Sequence, residues 1–339
     1  MKFFMRALML LYLLVLVAVW LCIWFDSGRS WWLTLVLFSP RWVLGLPWLL
    51  QAPLTWWAQP PLARWYALHL LILVIPLGGF CIPAIGSKDQ GEQSRRWRLL
   101  TCNMGEGPID IKRLVALIKH QNSDVVCLQE CAPAIVHELQ ALLPWNFEYE
   151  SGLVIGSPRP IGDLTVLARY GPEKSNVAAC IAVDIPLTSP KTTAVQQPLA
   201  ADGPKVRVAC IHFPTFRPAF EKARNFDMSA GIEYVDVAKL YRQLASETHA
   251  ALQTSTIPLV CGGDFNVPTE SGFYKDYWSD YQNALSLTGF GWCYTKYTRW
   301  HGVRIDHVLA DSRWTIDTAH VGPDLKGDHR PVLVEMSLR

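Results

Sequence analysis

Apolar residues are distributed along this chain in two different ways. Up to about residue 86 they run nearly unbroken, and beyond it they come in short runs separated by polar turns. Ala7 to Phe25 is an uncharged apolar run of 19 residues, close to the ~20 that cross a bilayer as a helix. Trp65 to Ile85 forms a second run of similar length. Between them, Trp31–Phe38 and Trp42–Trp57 are apolar but interrupted by Pro40-Arg41 and Pro47. That spacing predicts a kinked third span or a helical hairpin that does not cross. Residues 1–86 therefore read as a transmembrane helical anchor of two or three spans. No small-residue cleavage site follows Phe25, and further apolar runs come after it, which argues against a signal peptide.

Residues 87–96 are polar and contain glycine, a linker by composition. From Trp97 the pattern alternates. Strand-like runs lie at Trp97–Asn103, Asp124–Gln129, Leu164–Ala168, Val177–Val183, Val206–His212, Pro258–Cys261, Ile305–Leu309 and Pro331–Met336. Asp110 is placed to cap a helix whose residues Ile111, Leu114, Val115, Leu117 and Ile118 share one face. Val235, Ala238, Tyr241 and Leu244 make a second helical stripe. Strands that are continuously apolar are buried on both faces, so residues 97–339 are expected to form a layered α/β domain with sheets covered by helices.

Charge sharpens the division. The head holds Asp26 against Lys2, Arg6, Arg29, Arg41 and Arg64, leaving 26 basic and 28 acidic side chains in 87–339, a net of −2. Nine of the fifteen tryptophans lie in the head, several beside its polar breaks, as aromatic residues do at headgroup level. The head carries no acidic residue within its apolar runs, so no ion path is indicated. Lys88, Arg95, Arg96 and Arg98 after the last run, with Lys2 and Arg6 before the first, place both ends in the cytoplasm if the number of spans is even. Three spans would put the body outside. The body's seven cysteines show neither disulfide-framework nor zinc-ligand spacing, and Cys102, Cys127, Cys210 and Cys261 sit in strand-like runs. This leans toward reduced core thiols and a cytoplasmic body. The expected location is the plasma (inner) membrane, multi-pass, with membrane lipids as the natural partners.

The candidate chemistry lies where apolar runs end. Trp97–Cys102 ends in Asn103, Asp124–Gln129 in Glu130, and Val206–Ile211 in His212. Pro258-Leu-Val-Cys leads into Gly-Gly-Asp264-Phe-Asn266, where paired glycines favour a sharp turn and close approach to a ligand. On an extended segment Asp264 and Asn266 would point the same way. Asp306 ends Arg304-Ile-Asp, and Asp328-His329 follows Gly327. Each alone is a common strand-end or turn residue. Together they are the oxygen and imidazole set of one site for a hard divalent metal and a phosphate ester. His301, His307 and His320 lack this setting and read as surface or structural histidines.

The series Asn103, Leu-Gln-Glu130, His212, Gly-Asp264-Phe-Asn266, Ile-Asp306-His and Asp328-His329-Arg-Pro resembles the endonuclease/exonuclease/phosphatase (DNase I-like) family, over about residues 97 to 337. The resemblance implies a four-layer sandwich, two mixed β-sheets flanked by helices, with the active site along one edge. It implies that Glu130, with Asn103 and with Asp328 outside them, holds Mg²⁺ (or Mn²⁺). It implies that Asp306 orients His329, that Asp264 and Asn266 position water and phosphate, and that His212 contacts phosphate or the leaving group. Whether Asp264 or His329 accepts the proton stays open. Gly327 stands where the family usually has Ser, and no counterpart is visible of the tyrosine and penetrating loops of abasic-site enzymes. A mildly acidic body without a dense basic run lacks the footprint of a nuclease. A membrane-anchored phosphodiesterase or phosphatase acting on a lipid headgroup is the leading expectation. The alternatives are an endo- or exonuclease and a catalytically idle binding module.

Overall fold

The computed structural model describes residues 2–26, 28, 30–83, 96–105, 109–171, 177–187 and 203–339. The expected linker falls outside these apart from Arg96, which opens the first strand. Helix α1 spans Lys2–Asp26, and within it Phe3–Phe25 has a mean hydropathy of 2.8. Helix α2 (Trp31–Phe38) is followed by a 3₁₀ turn and α3 (Leu46–Ala58). Pro60–Leu77, containing α4 (Pro60–Ala63) and α5 (Tyr66–Ile72), is a second stretch long and apolar enough to cross a membrane. The middle segment bends by 88° between Trp31–Phe38 and Arg41–Ala58, so it counts as a third span only if the bent pair crosses as one. Of the two expected breaks, only that at Pro40 bends the chain. Pro47 sits in the first turn of α3, where its missing N–H costs nothing. The head has its own core, Tyr12, Leu16 and Ile23 of α1 against Leu33, Leu37, Ile72 and Leu77.

The body is built of two six-stranded mixed sheets. The first comprises β1 (Arg96–Asn103), β2 (Val125–Gln129), β3 (Asn146–Glu150), β4 (Leu153–Ser157), β13 (Trp314–Val321) and β14 (Val332–Leu338), in the order β13-β14-β1-β2-β4-β3. The second comprises β5 (Thr165–Tyr170), β6 (Val177–Pro186), β7 (Lys205–His212), β8 (Leu259–Asp264), β9 (Gln282–Asn283) and β12 (Asp306–Ala310), in the order β5-β6-β7-β8-β12-β9. Between the sheets lie Trp97, Leu99, Val125, Cys127, Val208, Cys210, Val260, Val308 and Trp314. Helices α6 (Ile111–Gln121) and α7 (Pro133–Leu142) cover the outer face of the first sheet. Helices α8 (Arg217–Arg224), α9 (Ala230–Gln253) and α10 (Gly272–Trp278) cover the second, and a short α11 (Ala284–Thr288) packs against β12 and β13. This is the four-layer sandwich that continuous apolar strands require, since each sheet must be covered on both faces.

Asp110 caps α6 as expected, accepting from the Arg113 N–H, and Ile111, Leu114, Val115 and Ile118 are buried beneath it while Leu117 lies at the margin. In α9 the buried stripe runs through Tyr234, Ala238, Tyr241 and Leu244. Val235, expected on that stripe, is 61% exposed. The stripe turns one residue earlier because Tyr234 reaches the head, where its hydroxyl lies 2.8 Å from Thr34 Oγ1. Other contacts join head and body: Arg41 pairs with Glu270 at 2.7 Å, His301 Nε2 donates to the Phe38 carbonyl, and Trp42 Nε1 donates to the Trp300 carbonyl.

Two parallel pairings position the site. β1 runs parallel to β2, and β7 parallel to β8, so four strands end at one edge of the sandwich. β12 begins at that edge, with Asp306 opposite Asp264. β14 is antiparallel to β1, and the chain enters it from the same edge just after His329. The paired glycines serve this packing. Both lie within β8, and a Cβ on Gly263 would stand 2.0 Å from the Ile211 carbonyl oxygen. Gly263 admits neighbouring backbone and Gly262 the side chains of Leu99, Thr101 and Cys127 from the facing sheet; neither makes a turn.

Candidate active site

The six strand-end residues converge. Asn103 is buried between the sheets, and its Nδ2 donates to Glu130 Oε1 at 2.8 Å and to Asp264 Oδ2 at 3.0 Å, tying three segments together. Glu130, directly after β2, has φ +51°, a backbone region costly for a side chain with a Cβ and concentrated at functional sites. The turn aims its carboxylate at His212, whose Nε2 lies 3.3 Å from Oε1. Hydrogen bonds from His212 and Asn103 hold the Glu130 carboxyl down, to about 2. Burial opposes charge on His212, but Glu130 and Asp264 outweigh it and raise the imidazole. These two form a charged pair at the mouth of the site.

Deeper in, Asp306 is fully buried and its two oxygens lie 3.0 and 2.9 Å from His329 Nδ1. That contact fixes the proton on Nδ1 and turns Nε2 toward Lys296 and Asp264. Asp264 Oδ2 lies 3.8 Å from Nε2. Burial disfavours a charged His329, yet Asp306 and Asp264 raise it to about 9. Asp264 is itself raised, by burial first and then by the Asp306 charge. The pair Asp264–His329 thus holds two groups of enhanced proton affinity side by side.

Asn266 departs from the extended geometry expected of it. Its φ is +52°, its N–H donates to Asp264 Oδ1, and one amide N–H goes to the Phe213 carbonyl at 2.8 Å. It braces Asp264 and keeps one amide hydrogen for a ligand. Asp328 is paired with Lys296 Nζ at 2.6 Å. Its other oxygen, Oδ1, is buried without a hydrogen-bond partner among the described residues and faces Gly105, where a Cβ would lie 2.6 Å from it and 3.7 Å from Asn103 Oδ1. Among the described residues, the groups able to share a metal are Glu130–His212–Asp264 and Asp264–Asp306–His329. Hard oxygen donors, one of them buried and unsatisfied, fit a divalent cation of the magnesium class.

Three residues of this site were not visible in the sequence. Lys296, in the short hairpin of β10 (Lys296–Tyr297) and β11 (Gly302–Val303), places Nζ 2.8 Å from His329 Nε2 as well as on Asp328. The residue before it, Thr295, accepts the Ile305 and Asp306 N–H groups on Oγ1 and so seats Asp306. Tyr170, at the end of β5, has its phenol raised by burial and by the nearby Glu130 charge. The remaining histidines are structural or peripheral. His307 is buried, donates from Nε2 to the Val267 carbonyl, and is held down to about 4 by burial and Arg304.

A two-sheet sandwich whose rim carries paired acidic residues, an Asp–His dyad and a cation site defines a phosphoester hydrolase that works with a divalent metal. The family model described as the endonuclease/exonuclease/phosphatase family matches residues 100–329, and the chain belongs to that family. Among solved structures, D. rerio TDP2 complexed with single-strand DNA product superposes with a TM-score of 0.51 at 14% identity, covering 71% of this chain and 98% of that one. The human Nocturnin catalytic domain gives 0.48 at 16% identity, covering 72% and 95%. The Bacteroides thetaiotaomicron mannosyl-6-phosphatase gives 0.47 at 13% identity, covering 71% and 99%. No curated protein sequence matches the chain.

Proposed function

We propose that this protein is a membrane-anchored, Mg²⁺-dependent phosphoesterase that hydrolyses the headgroup phosphate ester of a membrane lipid. The observation that carries the lipid reading is the β10–β11 hairpin. At one end Lys296 touches His329 and Asp328, and at the other Trp300 and His301 bond to Trp42 and Phe38 of the apolar head. Trp300 stands four positions beyond Lys296, so one short hairpin links the reaction centre to the segment that would meet the bilayer. The second support is the body's net charge of −2, which offers little for a nucleic-acid backbone. The expected arrangement keeps the anchor multi-pass in the plasma (inner) membrane, with Lys2, Arg6 and the basic residues at 95–98 on the cytoplasmic face.

Glu130, with Asn103 and Asp328 Oδ1, would hold Mg²⁺ (or Mn²⁺), which would supply charge neutralisation at the phosphoryl oxygens. The chain's own groups do the rest. Asp306 holds His329 with Nδ1 protonated, and His329 Nε2 takes the proton of the attacking water. Asp264, braced by Asn266 and Asn103, positions that water. Lys296 is 2.8 Å from Nε2 and is placed to receive a phosphate oxygen. His212, charged beside Glu130, and the remaining amide hydrogen of Asn266 hold the phosphate and help the leaving oxygen depart.

The test is a substrate panel. Full-length protein in detergent, with Mg²⁺, is assayed against phospholipid vesicles and against plasmid and single-stranded DNA. Headgroup release with intact DNA is the expected result. Nicking of plasmid with untouched lipid would make the protein a nuclease, and no turnover of any phosphoester would make it a binding module.

A further inference from the structure

Seven of the nine cysteines fall into two groups, six buried in the sandwich, where Cys127 and Cys210 lie within hydrogen-bonding reach of each other, and one exposed on α1. Cys102, Cys127, Cys131, Cys180, Cys210 and Cys261 are buried among apolar residues of the sandwich, and burial raises Cys102, Cys127, Cys131, Cys180 and Cys261. Cys22 lies exposed on α1. The other two meet across the seam between head and body. Cys81, four residues beyond the second apolar helix, forms an antiparallel backbone bridge with Gly291, its N–H donating to the Gly291 carbonyl at 2.7 Å and its carbonyl accepting in return at 3.1 Å. That bridge brings the Cys293 thiol, two residues on, within hydrogen-bonding reach of the Cys81 thiol.

The surroundings make the pair unequal. Arg304 Nη1 donates to Cys81 Sγ at 2.7 Å, and the edge-on rings of Phe290 and Trp292 against Phe80 clamp the two strands of the bridge. Glu270, the acid nearest this seam, is taken up by Arg41. Hydrogen bonding from Cys293 and the Arg304 charge, against burial, bring the Cys81 thiol down to about 7, while Cys293 is pushed up. Cys81 is 7% exposed and Cys293 half-buried. A thiolate stabilised by a guanidinium next to a protonated partner is the arrangement of a reactive and a resolving cysteine.

We propose that Cys81 and Cys293 are a peroxide-reactive dithiol that closes to a disulfide and staples the end of the apolar head to the segment leading into the active-site hairpin. The Cys81 thiolate attacks one oxygen of hydrogen peroxide, breaking the O–O bond and giving Cys81 sulfenic acid and hydroxide, which takes a proton to become water. The Cys293 sulfur then attacks the sulfenic sulfur and expels a second hydroxide, which carries off the Cys293 proton as water. Two thiols are oxidised by two electrons and one peroxide is reduced to two waters. The staple lies three residues from Lys296 and, through Arg304, two from Asp306, so it fixes the frame on which both are mounted. This inference does not depend on which phosphoester is cut.

Full-length protein in detergent is treated with stoichiometric hydrogen peroxide, and its thiols are counted after denaturation and mapped by non-reducing peptide analysis. The expected count falls from nine to seven, with a single Cys81–Cys293 disulfide that dithiothreitol reverses. With Cys293→Ser, dimedone traps sulfenic acid at Cys81 and no disulfide forms. With Cys81→Ser, Cys293 stays reduced. Both variants keep the reduced protein's near-UV circular dichroism. A wild-type map with Cys81 still reduced, with Cys81 stopping at sulfenic acid, or with Cys22 or a core thiol oxidised first would overturn the proposal.

Discussion

His329 is surrounded by groups that pull its proton affinity in opposite directions. Asp306 and Asp264 raise it, while burial and the Lys296 ammonium lower it, and the balance stands at about 9. As a proton acceptor it must be neutral, so kcat/KM should rise with pH toward a limb near that value. The Asp306→Asn variant removes the largest stabilising charge. The limb should then move to lower pH, and the plateau should fall because the imidazole loses its orienting partner. A limb that stays in place would take His329 out of the acceptor role. Lys296→Met, which keeps the length of the side chain and removes its charge, should cost roughly 10²-fold in kcat, the scale of losing one preorganised donor, and unchanged turnover would exclude it from the phosphate site. Asn103, Glu130, His212, Asp264, Asp306 and His329 were legible in the sequence because each polar group stands at one end of an apolar run. Lys296 was not, because a two-residue strand leaves no periodicity and its partners lie 32 and 33 residues away. The turn at Asn266 was hidden for a related reason. Nothing local distinguishes an extended Asp-Phe-Asn from one in which the second amide folds back onto Phe213.

At the scale of elements, the eight strand-like runs all lie on strands, since continuous Val, Ile, Leu and Cys admit few other readings. The strands that escaped are edge or near-edge ones. β3 (Asn-Phe-Glu-Tyr-Glu) and β13 carry polar residues on their open side, while β4 is a five-residue run too short to stand out beside a turn. The seam between α2, α3 and the body depends on charges that sequence distance conceals. Glu270 is buried against Arg41, at 19% and 10% side-chain exposure. Burial alone would raise its carboxyl, but Arg41 and Arg304 outweigh that and hold it at about 2. A carboxylate depressed in the folded state contributes stability that is complete above its ordinary value and is lost as pH falls through the folded one. Thermal unfolding in detergent should therefore show a stability loss between about pH 4.5 and pH 2 that Glu270→Gln lacks. Arg41→Met removes the ion pair from this buried acid and should cost ~3 kcal/mol at neutral pH. A neutral effect would mean that the seam is solvated.

Across the whole molecule, an apolar head of stacked helices and a catalytic sandwich are joined by side chains from both. Several large apolar groups of the body stay exposed: Phe226 (92%), Met228 (95%), Ile232, Phe290 and Trp300. Ile232 and Val235 lie on α9 beside Tyr234, which touches α2, and Phe290 and Trp300 adjoin Phe80 and Trp42. Ile232, Val235, Phe290 and Trp300 thus carry exposed apolar surface from the head onto the body, and the proposed function expects Phe226 and Met228 to extend it. Replacing Phe226 and Met228 together with Ser should weaken turnover of vesicle-embedded substrate while leaving hydrolysis of a soluble phosphodiester unchanged, and an equal loss on both would assign them to folding. The division into head and body was plain from hydropathy alone. Their contact was not, because it rests on single hydrogen bonds between residues some 200 or more positions apart.

Convergence of separate strand ends on one metal-assisted reaction centre is tested most directly by turnover of the lipid substrate as Mg²⁺ is titrated. Wild-type protein, Glu130→Ala and His329→Ala are compared, each shown to be folded by circular dichroism. The expected result is hydrolysis that EDTA abolishes and Mg²⁺ restores in the wild type, a shift of Glu130→Ala to much higher Mg²⁺, and a loss of roughly 10²–10⁴-fold in His329→Ala at saturating metal. Full activity in both variants, with or without EDTA, would contradict it.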